Sequence, residues 1–156
     1  MAPLATLYDW LLFLHIVAAM VWVGGLVALN VLVLVVLRSG GSEEVARFAS
    51  ALRVVGPATL APAMLGVVGF GVWLVLDSDA WGFGQTWVWL ALVLFGVAFV
   101  VGAAFQSRSA LAAQHAVEAG DSAEAVRQLR RWAWGMRAIL VVLLVIAWDM
   151  VFKPWL

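Results

Sequence analysis

Between Leu11 and Leu37 a single side chain titrates, His15, and Asn30 is the only other strongly polar residue. A run of about 18 or more apolar residues is long enough to cross the hydrocarbon core of a bilayer as a helix. Lipid leaves a spanning backbone only two options, helix or closed barrel. The run therefore fixes the solvent before it fixes anything else. Three more follow, about Val54 to Leu76, Thr86 to Phe105 and Met136 to Phe152. With the first, about Tyr8 to Leu37, they predict four transmembrane helices, at 8–37, 54–76, 86–105 and 136–152.

Composition excludes the main alternatives. Of 156 residues, 66% are hydrophobic and 12% charged, whereas a soluble domain is about a quarter charged. Nine basic and nine acidic residues give a formal net charge of zero. Nucleic acid is thus not an expected partner, because phosphate binding needs a positive surface. The chain has no cysteine, which excludes disulfides, thiolate metal sites and thiol catalysis. Met1 to Thr6 carries no basic segment, and the first apolar run exceeds a signal-peptide core, so it reads as a retained helix.

Arginines orient the spans. Arg38, Arg47 and Arg53 lie between the first and second; Arg108, Arg127, Arg130, Arg131 and Arg137 lie between or just inside the third and fourth. Asp77 to Gln85 has no basic residue. The positive-inside rule places both arginine-bearing connections in the cytoplasm and both termini outside, with Lys153 the one contrary charge. Tryptophans fit this frame: Trp10, Trp81, Trp87, Trp89, Trp148 and Trp155 fall near the outer interface, Trp132 and Trp134 near the inner one. Trp22 sits near mid-membrane. The cytoplasmic connections read as helical. Ser39-Gly40-Gly41-Ser42 is a turn, Glu43 and Arg47 are spaced for an i,i+4 pair, and Asp121 with Glu124 resembles a capping box. Pro57 and Pro62 predict a bend at the start of the second span. The expectation is one all-α domain over 1–156: an up-down bundle of two long helical hairpins that protrude on the cytoplasmic side.

Few residues carry chemistry. His15 lies about 7 Å below the outer boundary, at 1.5 Å per residue. Its helix face continues through Ala18, Ala19, Trp22 and Gly25, small enough in part to admit a partner helix or a flat cofactor. Ionisable groups inside a span are costly and often functional. His15 is therefore a candidate haem or metal ligand or proton-transfer group; the alternative is a histidine bonded across helices for packing. Asp149 lies about 6 Å deep by the same arithmetic. Its candidate partners are His15, level with it, and Lys153, four residues on. Asp9 reads as a solvated acid near the same mouth. His115 lies a full membrane away on the cytoplasmic side and cannot share an iron with His15. Gly66, Gly69, Gly71, Gly96 and Gly102 read as close-packing positions, or as a groove for a lipid tail, quinone or porphyrin. The Asp77 to Gly84 loop reads as a solvated turn, and Arg127, Arg130 and Arg131 as topology-setting charges with anionic lipid within reach. No nucleophile–base pair, phosphate loop, HExxH motif or paired carboxylates at helical spacing occur.

The stretch Leu14-His15-Ile16-Val17-Ala18-Ala19-Met20-Val21-Trp22-Val23-Gly24-Gly25 resembles the first helix of the CopD and HemJ superfamily of small helical membrane proteins. Gly56-Pro57 and the ending Asp149-Met150-Val151-Phe152-Lys153-Pro154 resemble an uncharacterised bacterial branch of predicted integral membrane proteins within it. The resemblance implies copper handling or haem-b-linked oxidation, with His15 at the position of the first-helix histidine. The chain departs from that pattern in having no histidine in the other spans and no outward methionine–histidine cluster.

Three functions follow. The first is a redox or metal-linked protein of the bacterial cytoplasmic membrane, holding haem b or copper through His15 with Trp22, Gly25 and Asp149 at the site. The second is an accessory subunit of a larger respiratory or photosynthetic complex, or a homo-oligomer. The third is a small proton-coupled transporter using His15 and Asp149.

Overall fold

A computed structural model of the chain describes residues 6–153. Among them there is no strand, and four helices are long and apolar enough to cross a membrane, as the sequence predicts. The first is α1, Leu7–Ser39. The second joins α2 (Ser42–Val55) to α3 (Ala61–Leu76) through a π-helical turn at Gly56–Leu60. The third joins α4 (Thr86–Val100) to α5 (Ser107–Glu118) through another at Val101–Gln106. The fourth is α6, Ser122–Phe152.

The ends of these helices are set locally. Thr6 caps α1: its Oγ1 accepts from the Asp9 N–H at 3.3 Å, and its own N–H donates to Asp9 Oδ2 at 2.8 Å. Asp9 is thus half of a capping box, a structural role that the solvated-acid expectation missed. Asp121 accepts from the Glu124 N–H at 2.9 Å. Glu124 does not complete that box, because Gln128 and Arg127 take its carboxylate instead. Gly40 (φ 69°) and Gly120 (φ 74°) close α1 and α5 in the left-handed region, where a Cβ is strained. Glu43 and Arg47 form the expected pair at 3.3 Å.

The bend expected from Pro57 and Pro62 takes the form of the first π turn. Neither proline has an N–H, so the carbonyls of Arg53 and Ala58, four residues earlier, lose their α-helical donors. The turn widens, and the Ala61 N–H donates to the Gly56 carbonyl five residues back. The second π turn arises without proline. The Gly102 carbonyl accepts both the Ser107 N–H and, at 3.3 Å, the Ser107 hydroxyl.

Packing is uneven around the bundle. α1 and α6 are the central pair: α1 packs on α3 and α6, and α6 on α4 and α5. The backbones of α3 and α4 stay apart, whereas α2 and α5 meet at the arginine-bearing end. There Gln114 Nε2 donates to the Ala49 carbonyl at 3.1 Å. The best-packed core lies on the same side, with Val33, Val45, Ala49, Ala113, Ala125 and Leu129 almost wholly buried. Phe48 meets Trp132 edge to face there, centroids 5.8 Å apart. The opposite surface is apolar and exposed, as at Met20, Leu144 and Val151, which suits contact with lipid. A groove therefore runs between the second and third spans, floored by α1 and α6.

Candidate functional site

The groove is not uniform. Trp22 of α1, 6% exposed, reaches across it to Phe95 of α4, with ring centroids 5.6 Å apart. Trp22 forms a shared wall between two chambers. The chamber at the His15 end, termed outer, has a volume of about 300 Å³, and the one at the arginine-bearing end, termed inner, about 890 Å³.

His15 lines the outer chamber. Its Nδ1 lies 2.9 Å from the Val67 carbonyl oxygen of α3. A carbonyl only accepts, so Nδ1 carries the proton and donates. Gly71 makes room for this ring. A Cβ there would stand 3.1 Å from His15 Cε1 and 3.2 Å from Nδ1. Five residues earlier, Gly66 lies against Ala18, where a Cβ would meet the alanine methyl at 3.1 Å. The small residues of α1 and α3 thus let the two helices close tightly enough for a side chain of one to reach the backbone of the other.

Of the four residues expected at one cofactor site, the structure brings two together. His15 and Trp22 share the outer chamber, and Gly25 and Asp149 do not line it. Gly25 faces the first π turn, where a Cβ would stand 2.8 Å from Leu60 Cδ2; its small size serves packing. Asp149 is fully buried, and neither carboxylate oxygen has a hydrogen-bond partner among the described residues. It pairs with neither His15 nor Lys153 among the described residues.

Lys153 turns elsewhere. It ends α6 in the left-handed region (φ 43°), and its Nζ lies 3.5 Å from the centroid of Trp81 and 5.0 Å from that of Trp87. The two indoles meet edge to face at 5.4 Å, and Trp87 Nε1 donates to Gln85 Oε1 at 3.1 Å. Lys153, Trp81, Trp87, Tyr8 and Met150 all line the chamber that holds His15. The sequence places these indoles only as interface residues, and Met150 only within the chain's ending motif. The one available signal was the spacing of Ile146 and Met150, four residues apart on one helical face.

The inner chamber was not foreseen. Both π turns line it, through Gly56, Pro57 and Leu60 on one side and Gly102, Ala103 and Gln106 on the other. Its mouth carries Arg53, Gln114, His115 and Glu118. Gln106 is 7% exposed, with neither amide atom hydrogen-bonded among the described residues. Its head lies against Gly135 of α6, where a Cβ would meet Oε1 at 2.9 Å. His115 is exposed at this far end, apart from the chamber of His15, as expected. No group of three or more His, Cys, Asp or Glu suited to a metal ion occurs among the described residues.

Four apolar helices around a divided groove define a small polytopic integral membrane protein. The chain belongs to the family described as Predicted integral membrane protein (DUF2269), whose model matches residues 9–154. No curated protein and no solved structure matches it.

Proposed function

We propose that this protein binds haem b in the bacterial cytoplasmic membrane, with His15 Nε2 as an iron ligand. The carrying observation is the 2.9 Å bond from His15 Nδ1 to the Val67 carbonyl. In a neutral imidazole protonated at Nδ1, Nε2 keeps its lone pair. Histidines that ligate metals are commonly held in this way, by a backbone carbonyl on the other nitrogen. Met150 borders the same chamber and offers a thioether, the group that joins histidine in haems of cytochrome c type. Trp22, Trp81, Trp87 and Phe95 give flat walls suited to a macrocycle.

At about 300 Å³ the chamber is at the small end for organic ligands. A tetrapyrrole would extend from it into the gap between α3 and α4. Bound haem would supply one-electron chemistry. The chain's own part is to fix the imidazole plane, to keep the proton on Nδ1 and to exclude water from the lone pair. Copper(I) is the competing occupant, since it takes the same imidazole and thioether donors.

The test is the visible spectrum and metal content of full-length protein purified from haem-replete cells. A Soret band that disappears in His15→Ala and shifts in Met150→Leu supports haem. Copper without a Soret band, lost in His15→Ala, replaces haem with copper. A folded protein that is colourless and copper-free refutes both.

A further inference from the structure

Lys153 declines the partner that its sequence position offers. Asp149 is one turn back, yet its oxygens stay unpartnered while Nζ lies on the face of Trp81. The left-handed residue at the end of α6 carries the side chain over the outer loop and into the wall of the His15 chamber. An indole face compensates part of the ammonium charge but accepts none of its hydrogen bonds in the way an oxygen does. No carboxylate among the described residues lies within ion-pair distance of Nζ. The rest of the wall is flat and aromatic, with Tyr8, Phe83 and Phe95 beside the two indoles.

We propose that the outer chamber recognises an amphipathic anion: a carboxylate on a flat conjugated body. The carboxylate meets Lys153 Nζ, and the body lies against the aromatic walls. This deepens the reading of the outer chamber as a ligand site and rests on it, but it does not require iron at His15. A flat uncharged molecule finds the same stacking surface and leaves the ammonium unpaired, so charge is what selects. The neighbouring outer acids Asp9, Asp77 and Asp79 repel a free anion from solution. Selection therefore acts at contact, through one short charged hydrogen bond, and not by long-range steering.

The experiment is equilibrium dialysis of the full-length protein in phosphatidylcholine nanodiscs, with empty nanodiscs subtracted. The probes are 2-naphthoate and its uncharged analogue 2-naphthol. The expected result is a preference for naphthoate of about tenfold or more, the size of one charge-assisted hydrogen bond. Lys153→Met keeps an unbranched stem over Trp81 and removes that preference; Lys153→Arg keeps it. Should Lys153→Met fail to fold, Lys153→Gln carries the same test. Equal binding of the two probes by the wild type overturns the proposal, as does no naphthoate binding or a preference that survives loss of the ammonium. The two readings fail separately. A colourless protein that prefers naphthoate through Lys153 removes haem alone, and a protein that takes up haem yet shows no preference in its haem-free form removes the anion site alone.

Discussion

The two chambers share one groove, one wall residue and the same spans, yet the outer is about a third the volume of the inner. Where α3 and α4 are regular α-helix, small residues let α1 approach α3 closely, and the result is a narrow space with an anchored imidazole. Where the same two spans pass through π turns, the wall widens, although α2 and α5 are tied together just beyond. Side-chain size acts in the same direction, with Trp81, Phe83 and Trp87 lining the outer chamber and Gly56, Gly102 and Ala103 the inner. π turns of this kind recur at functional sites, and here both open on the same space.

Four variants would break or sharpen that contrast. Trp22→Ala removes the shared wall and should merge the chambers, at a cost of about 3–5 kcal/mol for a large buried aromatic. Thermal unfolding in detergent would show it, and an unchanged midpoint would mean that the wall bears no packing load. Gly71→Leu should push the imidazole off the Val67 carbonyl. Overpacking of this sort costs about 1–3 kcal/mol, and any His15-dependent pigment should vanish with it. Replacing Pro57 and Pro62 together by alanine restores two N–H donors and favours unbroken α-helix. The prediction is a gain below about 3 kcal/mol, the usual cost of an interior proline, with a smaller inner chamber seen as slower labelling of a cysteine introduced at Ala103. Asp149→Leu removes a buried carboxylate with no partner and should stabilise the fold by about 1–3 kcal/mol. A lower melting temperature would reveal a partner for Asp149 in the membrane.

The spans were legible because lipid imposes one demand on every residue of a crossing helix, so apolar run length alone locates them. The first π turn was legible as a bend from Pro57 and Pro62. The second was not, because nothing between Phe95 and Phe105 lacks an N–H donor, and Gly102 with Ser107 is a common pairing. His15 stood out by polarity, but its partner is a backbone carbonyl, and every residue has one. Depth arithmetic set Asp149 level with His15 and said nothing of azimuth. Adjacent helical residues differ by about 100°. Asp149 thus turns into the protein and off the chamber, while Met150, the next residue, opens on it with Leu143 and Ile146. The expected Asp149–Lys153 pair assumed that the helix continues, and α6 ends at Phe152. The i,i+4 rule no longer applies beyond that point.

A π turn also has a meaning for heredity. In helical phase it acts as one surplus residue, so the Gly56–Leu60 and Val101–Gln106 turns can be viewed as absorbed single-codon insertions. Removing one codon from the second, which holds no proline, would heal the helix and rotate everything beyond it by about 100°. Gln114, Ala49 and the buried face of α2 would then swing away from one another. The arginine-bearing ends and the outer half of the bundle are in this sense separately phased, and point substitution can tune either half while only a frame-preserving indel re-aligns the two.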